Sequence, residues 1–346
     1  MKKIWFVVAL VAALLVAAGC ANKYTTSGKI AMKSRNYEKA IHDFNLALEA
    51  DSANPEVHFL LGEAYRQRGD HLAMNKHYAD AMRLSPKYND QIQGIRDSVW
   101  GDFFKSGIEK AKEKKFQDAL GDFQMAINIL PNRYEAYTNA GYVFQNMADQ
   151  DSNYSDSAFV YYMQAIDLDR TNVPVLINAG NLLLGMGKFA AADTMFTLIL
   201  EKDPNNIDAL IRRGEIADQV GRYEDAVNFY NRALQIDPTD SSMCNVWFNL
   251  GVVYFQQMKK MDDAEQAFIR AVELCPSDIN AQVNLNVVLI TNNKLDDAVS
   301  RLTTFTSQNP DDCTGWDLLS QALLRKGQKE EAYAANKKYE ECKQAH

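Results

Sequence analysis

Small, aromatic and proline residues recur along the chain at intervals close to 34 positions. An alanine follows several regularly spaced glycines after twelve residues, and a second alanine comes seven residues later with an aromatic residue between them, as in Ala226, Tyr230 and Ala233. A proline then closes most of the units. The marker positions are Gly28, Gly62, Gly107, Gly141, Gly180, Gly214, Gly251, Asn286 and Ser320.

This pattern resembles the tetratricopeptide repeat (TPR), in which each stretch of about 34 residues forms two antiparallel helices. The clearest copy runs from Leu210 to Pro238. We expect Gly214 and Ala226 to be small because the two helices of one repeat cross closely there, and Tyr230 to pack against the next repeat. Pro238 should end the second helix, since proline lacks an N–H. The resemblance implies an all-α fold, an α-solenoid of about nine TPR hairpins in a right-handed superhelix.

The nine repeats fill residues 20–346, and the last departs from the pattern as a C-terminal cap would. Met74 replaces the usual alanine in the second repeat, and Asn336 stands where an aromatic residue would otherwise pack. Helical hairpins outside the TPR register are the alternative. The repeats begin near residues 21, 55, 100, 134, 173, 207, 244, 279 and 313.

Two insertions interrupt the spacing. Residues 89–99 contain Ile92, Ile95 and Val99, whose spacing of three and four predicts a lengthened helix. Residues 149–157 are mostly polar and predict a longer turn, either a contact loop or a tolerated surface insertion.

The first nineteen residues have the pattern of a signal peptide. Lys2 and Lys3 precede an uncharged apolar run over residues 4–18, which is short for a membrane span and long enough for a signal-peptide core. An uncleaved anchor helix is the alternative. The run ends at Ala17, Ala18, Gly19 and Cys20.

This ending resembles the lipobox of bacterial lipoproteins. The resemblance implies cleavage before Cys20 and acylation of that cysteine, including palmitate, so that lipid holds the protein on a membrane. Ala21 follows in place of the aspartate that retains such proteins at the inner membrane. We therefore expect an outer-membrane protein that faces the periplasm.

The composition is that of a soluble globular protein. The chain of 346 residues is 47% hydrophobic and 24% charged, which excludes a disordered chain and a multi-span membrane protein. A formal charge of −8 argues against nucleic-acid binding, which usually requires a basic face.

Four cysteines remain once Cys20 is assigned to the lipid, and three pairings are possible. In the repeat register, Cys244 starts the first helix of its repeat and Cys275 ends the second, so antiparallel packing brings them together. Cys313 and Cys342 hold nearly the same places in the last repeat. We predict disulfides Cys244–Cys275 and Cys313–Cys342, which the periplasm permits. Four buried thiols are the alternative.

Sequence motifs for catalysis are absent. The five histidines form no HExxH motif, and the chain has no P-loop, GxGxxG or GxSxG sequence. We therefore predict no catalytic residue, cofactor, metal site or small-molecule substrate.

The resemblance points instead to the sixth position of each first helix, which faces the groove in TPR proteins. Asparagine offers a donor and an acceptor there, so a spaced row can pair with an extended peptide backbone. Basic side chains in the same row could bind a carboxylate. The alternative is that these amides satisfy local helix groups or water, and that the nearby Phe248 and Phe255 belong to the core. The predicted peptide-binding residues are Lys105, Asn139, Asn178, Arg212, Asn249 and Asn284.

Together these features predict a non-enzymatic scaffold that is lipid-anchored to the outer membrane. It would bind an extended segment or terminus of an envelope protein in its concave groove. An adaptor that delivers substrates to a periplasmic protease or cell-wall hydrolase is the alternative, and a self-assembling structural scaffold is another.

Overall fold

The computed structural model describes residues 22–148, 151, 153–238 and 240–345, and these form α-helices joined by short turns, without a strand. The helices are α1 (22–33), α2 (Tyr37–Ala50), α3 (Pro55–Arg68), α4 (His71–Leu84), α5 (Asn89–Lys112), α6 (Phe116–Ile129), α7 (Tyr134–Ala148), α8 (Tyr154–Leu168), α9 (Val173–Gly185), α10 (Phe189–Lys202), α11 (Ile207–Gln219), α12 (Tyr223–Ile236), α13 (Cys244–Val252), α14 (Met261–Leu274), α15 (Ile279–Thr291), α16 (Leu295–Gln308), α17 (Cys313–Lys326) and α18 (Lys329–Ala345).

The predicted all-α fold is confirmed. Successive helices pair as hairpins, and the second helix of one hairpin packs against the first helix of the next, as α6 does on α7 and α14 on α15. The helix contacts divide the chain into two compact halves, with the boundary between Asn178 and Ala179. First helices begin at Pro55, Tyr134 and Ile207, in the predicted register.

Short polar residues start many of these helices. The side chain of Asn54 accepts hydrogen bonds from the backbone N–H groups of Glu56 and Val57, and Asn206 caps α11 through the N–H of Ala209. Such caps satisfy donors that a helix start leaves unpaired. The α17–α18 turn passes through Gly327 at φ 88°, a left-handed conformation that suits glycine.

The aromatic ring of each of the first seven repeats packs directly on the regularly spaced glycine of the same repeat. A Cβ atom built on Gly214 would lie 2.5 Å from Cε1 of Tyr230, and one on Gly107 would lie 2.7 Å from Cε1 of Phe123. Tyr230 also belongs to a cluster with Met243 and Leu250 of the following repeat. The prediction that Tyr230 packs against the next repeat was therefore incomplete. The same ring also packs on Gly214, and this contact requires glycine at that position.

In repeat eight the aromatic residue occurs at a different position of the second helix. Asn286 occupies the glycine position, and Leu302 takes the place of the aromatic residue four positions after Ala298. The ring appears instead as Phe305, which packs on Gly315 of the next repeat: a Cβ atom there would lie 2.6 Å from Cε1 of Phe305. A smaller side chain at 302 thus removes the requirement for glycine at 286.

The insertions have different outcomes. The first is confirmed, because α5 runs without interruption over Asn89–Lys112. The prediction of a long turn over residues 149–157 was wrong in its extent, since α8 already begins at Tyr154. In repeat seven, one extra residue separates Gly251 from Ala264, and a π-helical turn over Val253–Gln257 takes it up.

The final helix has the character of a cap. Ala332 and Ala335 are buried against the preceding helices, whereas Asn336 and Tyr333 are exposed.

Within the residues that the structure describes, every helix is too short or too polar to cross a bilayer. The predicted signal peptide and the lipidation site at Cys20 lie outside the described residues.

Candidate functional site

A groove opens between the first helices of repeats three and four. Its floor is apolar, with Ile108 from α5 and Val143 from α7, and it encloses about 420 Å³. Tyr142 stands in it with 53% of its surface exposed. The remaining lining residues are Ala111, Lys112, Lys114, Phe116, Asn139 and Asn146.

Both asparagines of this groove bond to their own helix. Nδ2 of Asn139 donates to the backbone oxygen of Glu135 at 2.8 Å, and Nδ2 of Asn146 donates to that of Tyr142 at 2.7 Å. Each bond uses one amide hydrogen and fixes the amide plane. The second hydrogen and the carbonyl oxygen of each side chain keep further bonding capacity.

The other predicted asparagines do not line this groove, and their side chains differ in what they contact. Asn284 on α15 donates to the backbone oxygen of Asn280 at 2.8 Å, as Asn139 does on its helix. Asn249 on α13 is half-buried, and its side chain lies near the phenol of Tyr230. The local-bonding alternative therefore applies at Asn139 and Asn284, and the peptide-binding role of the row stays a prediction.

The two predicted basic residues also differ from each other. Arg212 on α11 is exposed but pairs with Glu215 at 2.8 Å, so its guanidinium already has a carboxylate partner. Lys105 on α5 is exposed, and Asn178 on α9 is half-buried. Asn139 is the predicted residue that lies in the groove with Tyr142.

Phe248 and Phe255 are part of the core in the C-terminal half. Both are partly buried against the cluster that contains Phe268 and Leu285. The ring of Phe248 meets that of Phe268 edge-on, with centroids 5.7 Å apart. The core alternative for these two phenylalanines is therefore correct.

The four remaining cysteines lie in the two predicted pairs. The Cα atoms are 5.9 Å apart for Cys244 and Cys275 and 5.6 Å apart for Cys313 and Cys342, within the range that disulfides need. In each pair a first-helix start meets a second-helix end, as antiparallel packing requires.

Sequence reasoning missed a cluster of His58, His77 and Asp80 in repeat two. Burial, with help from the neighbouring His58 and Lys76, lowers the pKa of His77 to about 4. This ring is therefore neutral at physiological pH. The signal was weak in the sequence because the two histidines are nineteen residues apart on different helices.

Comparison with known proteins identifies the repeats. Sequence models described as Tetratricopeptide repeat match residues 25–87, 207–240 and 245–278. A DnaJ protein P58IPK homolog from Arabidopsis thaliana is 25% identical over 123 residues, which are 34% of this chain and 25% of that protein. The chain thus matches about a quarter of that relative's length.

Solved structures show the same fold. A tetratricopeptide repeat protein from Parabacteroides merdae has a TM-score of 0.50 at 17% identity and covers 71% of this chain and 93% of its own. YrrB, described as a TPR protein with an unusual peptide-binding site, has a TM-score of 0.47 at 22% identity, with 54% and 93% covered. The chain therefore contains tetratricopeptide repeats in the three matched segments and folds as a TPR array of helical hairpins.

Proposed function

We propose that this protein is a non-enzymatic scaffold that binds an extended polypeptide segment along the groove between α5 and α7. The observation that carries the proposal is the exposed Tyr142 between two amide side chains over an apolar floor. TPR folds are consistent with protein–protein interaction, and this groove combines the surfaces that a peptide needs.

Each part of the groove has a role in that binding. A peptide backbone presents one donor and one acceptor per residue, and the free amide capacity of Asn139 and Asn146 can pair with both. Ile108 and Val143 offer apolar surface for a side chain. Tyrosine is enriched in interfaces because its large ring has few rotatable bonds, so ordering it costs little entropy.

The groove rim is basic on one side. Lys112 and Lys114 line it and are exposed. A charged ammonium forms stronger hydrogen bonds with a carboxylate than with a neutral group. We therefore expect the bound segment to carry an acidic side chain or a chain terminus near this rim.

The proposal includes a lipid anchor on Cys20 that holds the protein on the outer membrane, facing the periplasm. The short apolar run and the small residues before Cys20 support it. On this account the partners are envelope proteins, and acyl chains rather than the acidic protein surface attach the scaffold to the membrane.

Affinity capture with matched variants tests the groove. Residues 22–346 are immobilised and exposed to detergent-solubilised membranes of the source cells, as wild type, as Tyr142→Ala and as Val160→Ala. Val160 is 51% exposed on α8 of the same hairpin, so it controls for loss of exposed apolar surface.

We expect Tyr142→Ala to lose the wild-type partner and Val160→Ala to retain it. Truncating a central interface aromatic costs about 2 kcal/mol or more, which is roughly thirtyfold in Kd. Equal recovery of every polypeptide by Tyr142→Ala and wild type would refute binding in this groove.

A further inference from the structure

Three polar side chains converge at the α3–α4 hairpin of repeat two. Nδ1 of His58 on α3 lies 3.2 Å from Nδ1 of His77 on α4. The same His58 nitrogen lies 3.9 Å from Oδ2 of Asp80, one turn further along α4. One ligand atom from each residue lies within 4.8 Å of the other two.

The outer nitrogen of His58 fixes its tautomer. Nε2 of His58 lies 3.2 Å from the backbone oxygen of Ser52. A carbonyl oxygen only accepts, so Nε2 carries the proton and Nδ1 of the neutral ring presents its lone pair to the cluster. Metal-binding histidines usually hold their second nitrogen in this way.

His77 and Asp80 are also held from outside the cluster. The ring of His77 stacks on Tyr65, with centroids 5.4 Å apart and planes 6° from parallel. Oδ1 of Asp80 accepts a hydrogen bond from Arg83 at 2.8 Å, which leaves Oδ2 directed towards His58. The three ligand atoms therefore converge, while Nε2 of His58 and Oδ1 of Asp80 bond to groups outside the cluster.

The spacing suits a small metal ion. Two nitrogens bound to tetrahedral zinc at about 2.0–2.1 Å are roughly 3.3 Å apart. The two histidine nitrogens are already at 3.2 Å. To reach a similar edge length, Oδ2 of Asp80 needs to move by about 0.6 Å towards His58 and by at most about 1.5 Å towards His77, since the three atoms lie within 4.8 Å of one another. The side chain of Asp80 is 28% exposed and has room for that rotation, whereas His58 is 9% exposed.

We propose that His58, His77 and Asp80 bind one divalent transition-metal ion of the zinc type, joining α3 to α4. Without the ion, Nδ1–H of His77 donates to Nδ1 of His58. With it, His77 takes its Nε2–H tautomer and both Nδ1 lone pairs bind the ion. Two imidazoles and one carboxylate suit zinc, whereas magnesium and calcium prefer oxygen ligands alone. The fourth position is open to water or to a side chain of a bound protein.

Calorimetry with zinc chloride on residues 22–346 tests the site. The protein is tag-free and oxidised, with absence of free thiols verified, so that cysteine thiolates do not compete for zinc. His77→Gln and Asp80→Asn each remove one ligand at similar volume. His71→Gln is the matched control, because His71 also lies on α4 but packs on Phe103 instead of joining the cluster. Circular dichroism verifies the fold of each variant.

We expect one equivalent of zinc to bind the wild type and His71→Gln alike, and magnesium to bind neither. Each ligand variant should lose more affinity than the roughly 10–100-fold that loss of an outer-sphere partner costs. A wild type that binds no zinc would overturn the proposal, and would identify the cluster as a hydrogen-bonded histidine pair alone. Folded ligand variants with wild-type affinity would overturn it as well.

Discussion

Adding one methyl group at Gly214 should destabilise the protein. The new Cβ atom would lie 2.5 Å from Cε1 and 2.7 Å from Cδ1 of Tyr230, whereas carbon atoms pack at about 3.5–4.0 Å. Tyr230 is 1% exposed, so its ring has little room to move by the required ångström. Overpacking costs about 1–3 kcal/mol, and the close contact with a fully buried ring places this substitution in the upper half of that range, at about 2–3 kcal/mol. The better helix propensity of alanine offsets about 0.8–1.0 kcal/mol of that cost. We expect a net loss of about 1–2 kcal/mol for Gly214→Ala.

The same substitution at Gly121 provides the matched control. Gly121 is exposed inside α6, and a Cβ atom there meets nothing within 4 Å. Gly121→Ala should therefore raise the free energy of unfolding by about 0.8–1.0 kcal/mol. One chemical change thus has opposite signs at two helical positions, according to whether an aromatic ring lies above the glycine.

Urea unfolding followed by far-UV circular dichroism measures both variants. A third variant combines Gly214→Ala with Tyr230→Leu, the pairing of a larger side chain and leucine that repeat eight has at Asn286 and Leu302. In a double-mutant cycle the two changes should compensate each other, with a favourable coupling. If Gly214→Ala stabilises the chain as much as Gly121→Ala does, ring-over-glycine packing is not the reason for the repeated glycines.

Three further predictions concern single features. Lys114 turns at φ 60°, so Lys114→Gly should raise the free energy of unfolding by about 0.5–1 kcal/mol, and an unchanged urea midpoint would contradict this. Replacing both Cys313 and Cys342 by serine removes a link between residues 29 positions apart and should lower the free energy of unfolding by about 3–4 kcal/mol. A thiol titration that finds these two cysteines free in the wild-type protein would contradict the disulfide. Cys20→Ser in the full chain should shift the protein from the membrane to the soluble fraction, and retention on the membrane would refute lipidation there.

The fold could be predicted from the sequence because the same packing contact between the two helices of a hairpin recurs in successive repeats. A glycine recurs where a ring from the second helix lies on the first, and Gly107 and Gly214 show the same contact in both halves. The repeat pattern was harder to read in repeat eight, where two residue changes compensate each other. Leu302 replaces the aromatic residue and thereby permits Asn286 at the glycine position. The structure shows that the ring is supplied three residues later by Phe305, which packs on Gly315.

The candidate sites were harder to predict for two physical reasons. The amide of Asn139 bonds to its own helix, and a sequence position gives no information about how a side chain rotates. His58 and His77 meet only because the α3–α4 hairpin aligns positions nineteen residues apart. The disulfides were easier, because pairing of cysteines at opposite ends of an antiparallel hairpin follows from the repeat register.

Site-specific photo-crosslinking tests the central claim most directly. A photoreactive phenylalanine analogue replaces Tyr142 in the groove or Val160 on α8, in full-length protein expressed in the source cells, and crosslinked peptides are sequenced by mass spectrometry. We predict that position 142 captures one continuous segment of a partner protein and that position 160, which is similarly exposed, does not. Crosslinks that form equally at both positions, or only at position 160, would contradict a groove that binds polypeptide.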